Sequence, residues 1–149
     1  MKHYATALIQ LPLVREATKT KITCSQDVAD YCGDLVNIAQ ECVQVLLLNS
    51  KNFVIERSPV AIGTLDSASC HAREVFRLAI ELSARSVLMV HNHPSGDPAP
   101  SREDISLTKQ MVDAGKIIGI QLLDHVVIGR KAESTKGYCS IRDDGLCEF

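Results

Sequence analysis

The stretch His91-Asn92-His93-Pro94-Ser95-Gly96-Asp97-Pro98-Ala99-Pro100 constrains this chain more than any other. Proline lacks an N–H and its ring clashes with the preceding helical turn, so three prolines and a glycine this close together exclude helix. The residues before it, Ser86 to Val90, form a short apolar run of the kind found in a buried strand. Ser101 after it is a candidate N-cap. Ile105, Thr108, Met111 and Val112 then recur at helical spacing, with an end near Gly115. The chain here must run from strand through a sharp irregular turn into helix.

That turn places chemistry. Residues two apart on a strand point to the same side, so His91 and His93 aim two imidazoles at one point while Asn92 faces away. Imidazole is a favoured zinc ligand. A carboxylate in the first turn of the following helix, Asp104, can be swung back toward the pair by the proline-rich turn. Two His and one Asp leave a fourth position for water, the open pattern of catalytic zinc rather than the closed pattern of structural zinc. Each residue also has a plainer reading. A His-x-His at a strand end can be incidental, and Ser101-Arg102-Glu103-Asp104 reads as a capping box with Asp in place of Glu.

The rest of the chain reads as helices interleaved with strands, a mixed α/β (α+β) sandwich. Ser25 is a candidate N-cap for a helix to about Ala39, with Val28, Cys32, Leu35 and Ile38 on one face. Val43 to Leu48 and Phe53 to Ile62 are strand-like, joined by the turn residues Asn49-Ser50-Lys51-Asn52 and ended by Gly63. His71 to Ala84 has helical periodicity through Val75, Phe76, Ala79, Ile80 and Leu82. Strands are expected at Gln121 to Ile128 and Gly137 to Arg142. Residues 1–24 read as an N-terminal extension, in which Leu8 to Val14 pack as a strand or a short extended segment, and 25–149 as one domain.

Composition narrows the function classes. A net charge of -2 gives no bulk attraction to nucleic acid. No two of the six cysteines form a Cys-x-x-Cys pair, which argues against a zinc ribbon. A chain of 149 residues with no evident secretory signal needs no disulfide framework. We expect a cytoplasmic protein with inert thiols and no membrane association, since no apolar run reaches spanning length. A base deaminase would carry His-x-Glu and Pro-Cys-x-x-Cys, and neither occurs.

Taken together, HNHPSGDPAPSREDI strongly resembles the JAMM motif, His-x-His followed by Ser-x-x-Asp at fixed spacing. The surrounding GTLDSASCHAREVFRLAIELSARSVLMV and the later GIQLLDHVVIG resemble the RadC-like branch of the JAB/MPN superfamily, a likeness covering roughly Glu41 to Ile141. The resemblance implies a β-sheet with flanking helices, similar to cytidine deaminases. It implies Zn2+ held by His91, His93 and Asp104, with Ser101 stabilising a tetrahedral intermediate. It also implies an upstream glutamate as general base, which Glu41 matches. Glu56 is the runner-up, and Glu74 and Glu81 fit a solvated helix face. The implied activity is hydrolysis of amide or isopeptide bonds in a protein or peptide, a zinc metallopeptidase. The alternatives are a DNA repair or recombination module that binds without proteolysis, and a metal-binding scaffold without turnover. Longer members of the family carry a helix–hairpin–helix segment associated with DNA, which is not expected here. Asn92 and Ser95 are candidates for orienting the loop, Ser95 more simply as a turn former. His125, beside Asp124, reads as a satisfied structural histidine, and His71 as a cap or packing residue.

Overall fold

The computed structural model describes residues 17–63 and 70–149. The strand or extended segment expected among Leu8 to Val14, and most of the N-terminal extension, lie outside the described residues. A helix α1 (Ser25–Tyr31) and a 3-10 turn (Gly33–Asn37) lead into strands β1 (Cys42–Leu48) and β2 (Val54–Ile62). Helix α2 (Ala72–Glu81), strand β3 (Ser86–Asn92), helix α3 (Arg102–Ile118) and strands β4 (Gln121–Ile128) and β5 (Tyr138–Ser140) follow. The five strands form one mixed sheet in the order β2-β1-β3-β4-β5. Only β3 and β4 run parallel, and α3 is the crossover such a pair requires.

Alternation along the central strands builds two cores. Val43, Val45 and Leu47 of β1, with Val87 and Met89 of β3, pack against Phe76 of α2 and Leu107, Met111 and Val112 of α3. Leu46, Leu48, Leu88 and Val90 face the other way, onto Val28, Cys32 and Leu35. Both faces of β1 and β3 are therefore covered, which is why those segments are almost continuously apolar. By the same alternation His91 belongs to the α2/α3 side of β3 and Asn92 to the α1 side.

Several expected boundaries move for identifiable reasons. Ser25 is the first residue of α1 rather than its cap. The N-cap position is Cys24, and the Asp27 carboxylate reaches back to accept from the Thr23 and Cys24 N–H groups at 2.7 and 3.2 Å. The expected helix to Ala39 breaks at Cys32, where Gly33, a poor helix former, starts the 3-10 turn. In α3 the inward row is Asp104, Leu107, Thr108, Met111, Val112 and Gly115, so Leu107 takes the place expected for Ile105. That helix passes through Gly115 and ends at Gly119, whose left-handed φ of 83° is the usual glycine stop. Gly115 is needed for closeness instead, because a Cβ there would sit 2.5 Å from the Ile120 carbonyl oxygen. Strand β5 is shorter than expected because residues after Ser140 turn away, with the Asp144 N–H donating to the Ser140 carbonyl at 3.0 Å.

All six cysteines are free. Burial pushes the Cys32 thiol up to about 12 and the Cys70 thiol up to about 11, so both stay protonated at neutral pH. Among the described residues, no helix is long and apolar enough to cross a membrane.

Candidate metal centre

Strand β3 ends beneath the N-terminus of α3, and four side chains meet there. One ligand atom each from Glu41, His91, His93 and Asp104 lies within 4.8 Å of the other three. The two imidazole Nε2 atoms are 3.1 Å apart. Asp104 straddles them, Oδ1 at 3.3 Å from His91 and Oδ2 at 3.2 Å from His93. Zinc–nitrogen bonds of 2.0–2.1 Å on a tetrahedron put neighbouring ligand atoms about 3.3 Å apart. The Nε2–Nε2 separation, and the distance from each Nε2 to its nearer Asp104 oxygen, are close to that edge, with the two carboxylate distances running to different oxygens. The nitrogen and carboxylate donor set suits zinc. Glu41 Oε1 stands farther off, at 3.7 Å from His91 Nε2 and 3.9 Å from His93 Nε2.

Both imidazoles are held by their other nitrogen. His93 Nδ1 donates to the Asp97 carbonyl at 2.7 Å, so its Nε2 lone pair faces the cluster. His91 Nδ1 lies 2.7 Å from Nε2 of His125, both rings fully buried. Nδ1 of His125 in turn meets the Thr108 hydroxyl at 2.6 Å. Burial, with the nearby imidazole of His91 adding to it, pushes His125 well below its ordinary value and keeps it neutral.

Asp104 serves two structures at once. Its Oδ2 accepts from the Ser101 N–H at 2.8 Å, and the Ser101 hydroxyl accepts from the Asp104 N–H at 3.1 Å. The capping box is therefore real, and it aims the same carboxylate at the histidines. Burial alone would raise the Asp104 pKa, but the close polar contacts with the His91 and His93 rings hold it well below the usual carboxylate range. The Asp104 carboxylate beside Nε2 is also the main cause that raises His93.

The loop between the candidate ligands is pinned both internally and from outside. The Ser95 hydroxyl accepts from the Asp97 N–H at 3.3 Å, a turn-forming role, and Asp97 Oδ1 accepts from the Ala99 N–H at 3.0 Å. The Arg130 N–H then donates to the Gly96 carbonyl at 2.7 Å, tying the loop to the segment after β4.

Asn92, between the two histidines, is 1% exposed and faces the opposite side of the sheet. Its Oδ1 accepts from the Cys42 N–H at 2.8 Å, and its Nδ2 donates to the carbonyls of Gln40 at 3.0 Å and Ile38 at 3.1 Å. It thus grips the backbone that carries Glu41. Glu56, the other candidate base, is on β2 opposite Leu47, whereas His91 pairs with Val43 at the other end of β1. Four residues of strand separate those positions, about 13 Å at 3.3 Å per residue. Glu74 and Glu81 are exposed on α2. His71 takes the N-cap position of α2 without a side-chain capping bond.

The links from His125 and Thr108 to His91 are what sequence reasoning missed. His125 is the satisfied histidine expected, but its partner is His91. Asp124 beside it is a structural clamp: its carboxylate accepts from the His125 N–H at 2.7 Å, the Ser140 hydroxyl at 2.5 Å and the Arg142 N–H at 3.1 Å.

A family model for the RadC-like JAB domain matches residues 22–146. The chain belongs to this family. The five-stranded mixed sheet with its three flanking helices is a JAB/MPN-type fold. A UPF0758 protein of Desulforamulus reducens is 53% identical over 133 residues, covering 87% of this chain and 55% of the relative. A UPF0758 protein of Staphylococcus carnosus is 50% identical over 113 residues, covering 75% of this chain and 50% of the relative. A UPF0758 protein of Thermotoga maritima is 42% identical over 130 residues, covering 87% and 56%. This RadC-like chain spans about half the length of the curated relatives it matches.

Proposed function

We propose that this RadC-like JAB domain is a zinc-dependent hydrolase of amide or isopeptide bonds, acting on a protein or peptide. The observation that carries the reading is the convergence of His91, His93 and Asp104, whose facing atoms lie 3.1–3.3 Å apart, with Glu41 just outside them. His91, His93 and Asp104 would hold the ion. Bound zinc brings the pKa of a coordinated water to about 7 and polarises a carbonyl. Glu41, partly exposed, acts first as general base toward the attacking water and then as general acid toward the leaving amine. Among the described residues the Ser101 hydroxyl accepts from the Asp104 N–H, which leaves its own proton to donate to the oxyanion. Asn92 keeps Glu41 over the cluster by holding the backbone on either side of it.

The test pairs wild type with Glu41→Gln, both zinc-loaded, against peptide and isopeptide libraries. Glu41→Gln should retain about one zinc per chain and lose about 10²–10⁴-fold in turnover, the usual worth of a general acid–base. A variant as active as wild type removes Glu41 from the mechanism. A zinc-loaded wild type that cleaves nothing, yet binds DNA with a steep salt dependence, would move the reading to a nucleic-acid module.

A further inference from the structure

The contacts behind His91 form a closed chain whose proton directions can be read from chemistry alone. Thr108 Oγ1 is 2.6 Å from the Asp104 carbonyl oxygen and 2.6 Å from His125 Nδ1. A carbonyl cannot donate, so the single hydroxyl proton of Thr108 goes to Asp104. His125 Nδ1 must then carry a proton and donate it to the Thr108 oxygen. In a neutral ring that leaves His125 Nε2 as an acceptor, and the only proton available across the 2.7 Å contact is on His91 Nδ1. His91 Nε2 is left bare, facing His93 and Asp104. The chain begins and ends on candidate metal ligands, since the carbonyl that sets its direction is that of Asp104. All three of its side chains, on β3, β4 and α3, are fully buried.

We propose that Thr108 and His125 are positioning residues that fix His91 in the Nδ1–H tautomer, leaving Nε2 ready for the metal. This rests on the metal reading above and goes beyond it, because it assigns the ligand's orientation to two residues that touch neither substrate nor ion. A free neutral imidazole favours the proton on Nε2, the wrong atom for ligation. Without the chain, part of the apo protein would have to exchange tautomers before binding.

Two measurements test it on the full chain. The first is long-range 1H–15N correlation of the histidine rings in the metal-free wild type at neutral pH. His91 and His125 should both appear as Nδ1–H tautomers, and an Nε2–H tautomer at His91 overturns the proposal. The second is titration with zinc and with cobalt(II), reading affinity and the cobalt ligand-field spectrum. Thr108→Val, which keeps the shape and removes the hydroxyl, should bind about 10–100-fold more weakly, the usual cost of losing such an outer partner. Thr108→Ser, which restores the hydroxyl, should return the affinity toward wild type with an unchanged cobalt spectrum. Unchanged affinity in a folded Thr108→Val overturns the positioning role and leaves the metal reading standing. A wild type that binds neither ion overturns both.

Discussion

The carboxamide of Asn92 is hydrogen-bonded to the backbone immediately on both sides of Glu41, to the Gln40 carbonyl at 3.0 Å and the Cys42 N–H at 2.8 Å. The residue that separates the two histidines in sequence thus sets the position of the glutamate from the far side of the sheet. Replacing Asn92 with Ala leaves two carbonyls and one N–H in this part-buried region without that partner. Unsatisfied buried groups cost about 1–3 kcal/mol each, so Asn92→Ala should lower Tm clearly. His91, His93 and Asp104 keep their own supports, so the variant should still bind zinc near wild-type stoichiometry while losing hydrolytic rate. Thermal melts beside elemental analysis separate the two effects, and an Asn92→Ala protein with wild-type Tm would contradict the anchoring role.

Metal should stabilise the fold, because His91, His93 and Asp104 come from a strand end and a separate helix. A ligand at 1,000 times its Kd contributes about 4 kcal/mol. For a domain of this size each kcal/mol moves Tm by about 2–4 °C. Zinc loading should therefore raise Tm by roughly 10 °C, and a chelator should reverse it. His91→Ala/His93→Ala should melt at the same temperature with and without zinc. A zinc-dependent Tm persisting in that variant would place the ion elsewhere.

Gly129 tests how firmly the ligand loop is held. A Cβ at this position would lie 2.4 Å from the Gly96 carbonyl oxygen and 2.7 Å from the Pro98 nitrogen. Both are backbone atoms, so Gly129→Ala must push the loop away. The Asp97 carbonyl that orients His93 moves with it. We expect weaker zinc affinity with most of the fold's stability retained, measured by competition with a chromophoric chelator. Wild-type affinity in Gly129→Ala would show that the loop accommodates the shift without disturbing His93.

The start of α1 should respond to acid. The hydrogen bonds from the Thr23 hydroxyl and N–H hold the Asp27 carboxyl below its ordinary 3.8. A depressed folded-state pKa means the stabilisation is complete above the unfolded value. It fades as pH falls below 3.8 through the lowered folded value. Asp27→Asn should cost about 1 kcal/mol at neutral pH, typical of a lost helix cap, and should flatten the stability curve in that acidic window. Denaturant titrations from pH 6 downward read both, and parallel curves for the two proteins would exclude Asp27 as the cause.

Much of the site was legible because its logic is local. The two-residue period of a strand puts His91 and His93 together, and the three-residue step from Ser101 to Asp104 is a helix cap whatever surrounds it. Long apolar runs declared β1 and β3 as strands covered on both faces. Choosing between Glu41 and Glu56 as neighbours of the histidines needed the sheet. Only the antiparallel register of β1 with β3 puts Val43 beside His91 and sends Glu56 toward the other end.

The support behind His91 was beyond the sequence for a sharper reason. Leu122 pairs with Val87 and His125 with Met89, so three steps along β4 match two along β3. Simple alternation from the inward-facing Leu122 would send His125 to the α1 side of the sheet. The extra residue in the bulge turns it back toward His91. Sequence alone determined the candidate ligands, the helix cap and the buried strands, since each depends on residues within one turn or one strand. Tertiary structure decided which glutamate, which second histidine and which hydroxyl join them. Those choices depend on register and bulging between strands distant in the chain, where one residue of slip reverses every side chain.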